Sequence, residues 1–168
     1  NLKNLSFGTG KNKFIHSGIG FNYRMTNMQA ALGYSQTLFA EKLIDKRIEV
    51  CETYLHYLAK LEGEIKLPEE HKNEKNTFWM MHINLADKYI KKRDRIMSAL
   101  FNNGIGTRKG FVPYSMQKKL HSKNFKVFNC PNSLKVSNST FYLPTFLELG
   151  EKQIKYISQR LDHILTKI

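Results

Sequence analysis

Residues 18–31 read Gly18-Ile19-Gly20-Phe21-Asn22-Tyr23-Arg24-Met25-Thr26-Asn27-Met28-Gln29-Ala30-Ala31. Two glycines, an amide and a guanidinium stand directly before a helix start. Thr26 and Gln29 have the spacing of a capping box, in which each side chain satisfies the other's backbone donor. The arrangement suits an anion: Arg24 brings a fixed charge, Asn22 a hydrogen-bond donor, and the helix end its N–H groups. The plainer alternative is that Asn22 and Arg24 only tie down a loop.

Downstream of Thr26, apolar residues recur at Met28, Leu32, Phe39 and Leu43, then at Ile44, Ile48, Cys51, Leu55 and Leu58. Steps of three and four predict one buried helical face. The pattern runs to about Leu61, before Gly63 and Pro68, and a helix that long is expected to bend or break near Ala40. Residues 63–76 read as a polar loop. Thr77 to Leu85 reads as a strand, and Asp87 as the cap of a second helix through Tyr89, Ile90, Ile96, Met97, Leu100 and Phe101. Asn103-Gly104 ends that helix, because glycine accepts the left-handed conformation there. Short strands are expected around Ile105–Thr107 and Phe141–Leu143, and a last amphipathic helix from Gly150 to Ile168. Upstream, residues 1–25 are loop-like. The order α–β–α–β–(short α)–β–α predicts an α/β domain.

The chain has 168 residues, 41% of them hydrophobic, which is enough for a folded core and close to one domain by length. Lys and Arg exceed Asp and Glu by 27 − 14 = +13, so an anionic partner is expected. No run approaches the ~20 apolar residues of a membrane span, and residues 1–14 lack the apolar stretch of a signal peptide. Cys51 and Cys130 make no disulfide framework and lack C-x-x-C spacing, which points to a reducing, cytoplasmic setting. The chain opens at Asn1 in loop-like sequence, so a longer protein is expected.

Other chemistry fits poorly. Gly8-Thr9-Gly10-Lys11 has Leu5 and Asn12 where a phosphate loop needs Gly and Ser/Thr. Of the 27 cations only six are Arg, the residue suited to bidentate phosphate and base contacts, and no nucleic-acid motif appears. Solvated lysine faces account for the charge as well. Of the six histidines none has metal-ligand spacing. His16, before the glycine-rich turn, is the one histidine placed to touch substrate. No serine lies in a nucleophile elbow. The residues by themselves complete no catalytic site.

The stretch Gly20-Phe21-Asn22-Tyr23-Arg24-Met25-Thr26-Asn27-Met28-Gln29-Ala30-Ala31-Leu32-Gly33, followed by a long helix bearing Arg47, resembles the DegT/DnrJ/EryC1/StrS family of sugar aminotransferases. So do Asn103-Gly104-Ile105-Gly106-Thr107-Arg108, Gly110-Phe111-Val112-Pro113, Phe141-Tyr142-Leu143-Pro144-Thr145 and Glu151-Lys152-Gln153-Ile154. Together they span almost the whole chain. The Tyr-Leu-Pro-Thr segment looks most like the perosamine-synthase branch.

The resemblance implies the C-terminal small domain of a fold-type I enzyme that uses pyridoxal 5′-phosphate. Residues 1–25 would be a loop carrying the cofactor-phosphate motif, 26–62 a long linking helix, and 63–168 the C-terminal α/β domain. The implied reaction moves an amino group, usually from glutamate, to a 4-keto-6-deoxy sugar carried on a nucleotide, for surface polysaccharide. The implied cofactor contacts are Asn22 and Arg24, reaching across a homodimer interface. The implied sugar-nucleotide contacts are Arg108, Lys109 and Tyr114. The family's Schiff-base lysine lies in a Ser- and Gly-rich segment that nothing here matches, so this chain alone is expected to be inactive. Ser115 stands where many relatives carry His, and Gly150 where Ser or Thr often caps the last helix. A basic nucleic-acid-binding module and a catalytically incomplete dimerisation fragment are the competing readings.

Overall fold

A computed structural model describes residues 25–69, 71–117 and 128–168. The helices among them are α1 (Asn27–Thr37), α2 (Ala40–Leu58), α3 (Arg93–Asn102), α4 (Pro131–Ser139) and α5 (Glu151–Lys167). The strands are β1 (Ile65–Lys66), β2 (Met81–Leu85), β3 (Arg108–Lys109) and β4 (Thr140–Leu143). The chain divides into two compact units, one of residues 1–35 with 111–137, the other of 36–110 with 138–168.

The larger unit holds a four-stranded antiparallel sheet in the order β1-β2-β4-β3. Met81 faces Leu143 and Ile83 faces Phe141 across β2 and β4, and all four are buried. Strand side chains alternate between faces, so these residues define the core side of the sheet. Helices complete the core: Val50, Cys51, Tyr54 and Leu58 from α2, Ile96 and Leu100 from α3, and Ile154, Ile157, Leu161, Ile164 and Leu165 from α5. The helical spacing of that last set puts the apolar residues of α5 on one face. Tyr57 donates to Glu151 at 2.6 Å, and Lys60 pairs with Asp162, so α2 and α5 are also tied along their rims.

The end of α3 is set by its sequence. Gly104 has φ +76°, its N–H donates to the Phe101 carbonyl, and the Ile105 N–H donates to the Leu100 carbonyl. This is a Schellman motif, and the buried Ile105 supplies its hydrophobic contact. The last helix starts at Gly150, which has no side chain to offer. Gln153 supplies half of a capping box by accepting the Gly150 N–H at 2.9 Å.

Five expectations need correction, the first being Asp87, which caps no helix: Asp87–Lys92 is a 3₁₀ turn entered from Ala86 without a side-chain cap bond, and α3 begins at Arg93. The strand begins at Met81 rather than Thr77, because Phe78 is buried at φ +44°, a conformation no strand residue adopts. Its N–H donates to Asn76 Oδ1 at 2.8 Å, which holds the turn. The loop at 63–76 contains β1, which pairs with Leu85 and Asn84. The short strand near Ile105–Thr107 lies instead at Arg108–Lys109, since Ile105 is consumed by the helix end. The stripe along the long helix is buried only from Val50 onward. Met28, Leu32 and Phe39 are 77%, 66% and 58% exposed. The helix is interrupted at Leu38–Phe39, where the Phe39 N–H donates to the Gln36 carbonyl at 3.1 Å.

Both Gly104 and Gly106 have open space where a Cβ would stand, but only Gly104 is left-handed. Gly104→Ala should therefore lower stability by about 1–2 kcal/mol. Gly106→Ala should leave it within about 0.5 kcal/mol. Denaturant unfolding of the two variants makes the comparison, and equal losses would contradict this description of the turn.

Candidate functional site

Asn22, Arg24 and His16 lie outside the described residues. The helix start that follows Asn22 and Arg24 is described, and it is formed. The Gln29 N–H donates to Thr26 Oγ1 at 3.3 Å, and the Thr26 N–H donates to Gln29 Oε1 at 2.9 Å. The capping box read from the sequence is thus present. A formed helix start is what an anion-binding role for the preceding residues requires.

Arg47 links the turn before β2 to the Phe141–Thr145 motif. Its guanidinium donates to the Trp79 carbonyl at 3.0 Å and to the Thr145 carbonyl at 3.3 Å. Both bonds come from one terminal nitrogen, Nη1, which has two N–H groups to give. One side chain of α2 thereby fixes both the turn that enters β2 and the segment that leaves β4.

Arg108 and Lys109 are neighbours on β3 and so point to opposite faces of the sheet. Lys109 pairs with Phe141 of the core side, and its ammonium meets Asp94 of α3 at 2.7 Å. Arg108 pairs with Tyr142, which in turn pairs with His82. The face away from the core therefore carries His82, Tyr142 and Arg108 in a row across β2, β4 and β3. The His82 and Tyr142 rings meet edge to face with centroids 6.5 Å apart. Beside them Ser139 Oγ donates to Asn84 Oδ1 at 2.6 Å. Tyr114 belongs to the other unit, in a short 3₁₀ turn with Ser115 and Met116, and is exposed.

Burial lowers the His82 pKa, which favours the neutral imidazole. Burial raises that of Tyr142, and the nearby Arg108 charge opposes it. The row thus grades from a cation at the sheet edge to an uncharged ring further in. Sequence reasoning gave His82 no role and read Tyr142 only as part of the Phe141–Thr145 motif. The only signal was the half-polar alternation Met81-His82-Ile83-Asn84-Leu85, which marks a strand but not its cross-strand partners. Among the described residues no group of three or more His, Cys, Asp or Glu could hold a metal ion. No helix among them is long and apolar enough to cross a membrane.

The described residues thus combine a capped helix start with a small antiparallel sheet covered by helices. The profile of the DegT/DnrJ/EryC1/StrS aminotransferase family matches residues 1–162, and the chain belongs to that family. Enzymes of this family depend on pyridoxal phosphate. The chain is 32% identical over 160 residues to GDP-perosamine synthase of Vibrio cholerae, covering 93% of this chain and 41% of that one. It is 25% identical over 155 residues to UDP-4-amino-4,6-dideoxy-N-acetyl-beta-L-altrosamine transaminase of Campylobacter jejuni, covering 89% and 39%. Helicobacter pylori PseC, an aminotransferase of pseudaminic acid biosynthesis, shares the fold with a TM-score of 0.74 at 21% identity, over 90% of this chain and 40% of that one. The chain spans about 40% of the length of these relatives.

His82 provides a test of the row. Its imidazole should titrate below the ordinary histidine value when followed by NMR. The unfolded chain accepts a proton that the folded one refuses, so stability should fall as pH drops through the ordinary histidine range. A His82 that titrates at or above its ordinary value would contradict the burial described.

Proposed function

We propose that this chain is the C-terminal domain of a nucleotide-sugar aminotransferase. The intact enzyme would transfer an amino group from glutamate to a 4-keto-6-deoxy sugar nucleotide, for O-antigen or other surface polysaccharide. It would do so in the cytoplasm, as a homodimer with shared active sites. The observation that carries this reading is the family match over residues 1–162. The likeness to perosamine synthases supports the sugar class.

Pyridoxal phosphate supplies the electron sink for transamination when bound. This chain's residues supply binding. Asn22 donates a hydrogen bond to the cofactor phosphate of the neighbouring subunit, and Arg24 adds a fixed charge beside it. Arg108 and Tyr114 serve the sugar nucleotide, whereas Lys109, paired with Asp94 on the opposite side of β3, does not share the face of Arg108. His16 stands before the same loop and contributes to substrate contact. The lysine that holds the cofactor comes from a segment this chain does not resemble, so covalent chemistry belongs elsewhere in the enzyme.

A dimerisation role is compatible with this reading and has its own support. Met28, Leu32 and Tyr34 are exposed along α1, and such apolar residues usually mark contacts. No comparable observation favours nucleic acid.

In the intact enzyme, Asn22→Ala should weaken pyridoxal phosphate binding with no loss of thermal stability. A hydrogen bond to a charged group contributes about 1.5–3 kcal/mol, or roughly 10- to 150-fold in affinity. Cofactor titration of the folded variant measures this, and unchanged affinity would remove Asn22 from the phosphate site. The chain alone, mixed with pyridoxal phosphate, should give no stoichiometric borohydride-trapped adduct on one lysine. Mass spectrometry would detect such an adduct, and finding one would show covalent capacity within these residues.

A further inference from the structure

Between the turn that ends α3, the exit of β4 and the first turns of α5 lies a cavity of about 370 Å³. That volume falls within the about 300–1,000 Å³ of small-molecule sites. All its lining residues belong to the larger unit. Buried Ile105 and Leu149 line it together with the exposed rings of Phe146 and Tyr156. Tyr156 is held twice. Its hydroxyl donates to the Asn103 carbonyl at 3.2 Å, and the Arg160 guanidinium stands over its ring, 5.1 Å from the centroid. The other polar side chains of the lining are Lys152 and Gln153, and no carboxylate lines the cavity. Lys152 has no ion-pair partner among the described residues. Lys152 and Arg160 lie four residues either side of Tyr156, along one stripe of α5. Gln153 Oε1 accepts the Gly150 N–H, which leaves the Gln153 amide nitrogen to donate elsewhere.

We propose that this cavity binds a small arylalkyl monocarboxylate, with its ring against Phe146 and Tyr156 and its carboxylate at Lys152 and Gln153. The inference goes beyond the nucleotide-sugar reading and does not depend on it. Charge decides the head group. Cations flank the aromatic wall and no acid faces them, so an anion is favoured and an amine is repelled. One compact ammonium beside one amide supplies donors for the two oxygens of a carboxylate and too few for a phosphate dianion. The lining decides the body. Two exposed rings beside buried aliphatic side chains suit an aromatic group, which packs against them offset or edge to face.

The test uses the whole chain with 4-phenylbutyrate, 4-phenylbutanol and 4-phenylbutylamine, which share one body and differ in charge. Binding is followed by the methyl NMR signals of Ile105 and Leu149. Both signals should shift with 4-phenylbutyrate. At low salt it should bind about two- to fivefold tighter than the alcohol, the range of an exposed ion pair, and the amine should bind more weakly than either. High salt should erase the preference. Lys152→Gln should erase it too and leave alcohol binding unchanged. Phe146→Ala should weaken all three probes about three- to tenfold. Both substituted side chains are exposed, so both variants should fold, and circular dichroism with thermal unfolding checks that they do. Absence of Ile105 and Leu149 shifts with every probe would overturn the site. So would equal affinity for the carboxylate and the amine, or a carboxylate preference that survives Lys152→Gln. Signals that respond to protein concentration and to no probe would show a second copy covering the cavity, which overturns the proposal as well.

Discussion

The apolar stripe running from Met28 to Leu58 is longer than the core this chain sets against it. Its C-terminal half is buried: Cys51, Tyr54 and Leu58 are fully enclosed by α5 and the sheet. Its N-terminal half is not, and no residue of α1 is buried. Burying a large apolar side chain contributes about 1.5–3 kcal/mol. Leaving Met28, Leu32 and Phe39 in water therefore forgoes stability that a contact surface would recover. The interruption at Leu38–Phe39 falls between the two halves. α1 carries the capped start that follows Asn22 and Arg24 in sequence, and α2 lays its apolar face into the core of the larger unit.

Within the larger unit the two sides of the sheet differ in character. Its core side takes Met81, Ile83, Phe141 and Leu143, and an ion pair between Lys109 and Asp94 closes the edge on that side. Its other side collects His82, Thr140, Tyr142 and Arg108. Arg47 connects this platform to the linking helix by gripping the backbone on both flanks, at Trp79 and Thr145. A buried Phe78 in a left-handed conformation stands directly before that grip. Such strain persists only where surrounding contacts over-determine it.

What could be read from the sequence followed local rules. The faces of α2, α3 and α5 came from helical spacing, the end of α3 from Asn103-Gly104, and the start of α1 from Thr26 and Gln29. Family resemblance at the Asn22–Arg24 motif carried the rest of the functional reading. The misses arose where distant contacts decide. Two-residue strands such as β1 and β3 have no periodicity to detect. The left-handed turn at Phe78 is invisible in a run of large apolar residues that otherwise suggests a strand. The exposure of Met28 and Leu32 depends on what lies opposite, which periodicity does not reveal. His82 and Tyr142 gain meaning only once the register places them side by side with Arg108.

In the proposed function this domain serves a cofactor site in the neighbouring subunit. The direct measurement is the activity of a purified mixed dimer of the intact enzyme, in which one subunit carries Asn22→Ala and the other lacks the cofactor-holding lysine. If Asn22 acts across the interface, both lesions fall in one site of the symmetric pair, and roughly half of the parent activity should remain. If Asn22 serves its own subunit, each site carries one lesion. Activity far below half would then contradict the account.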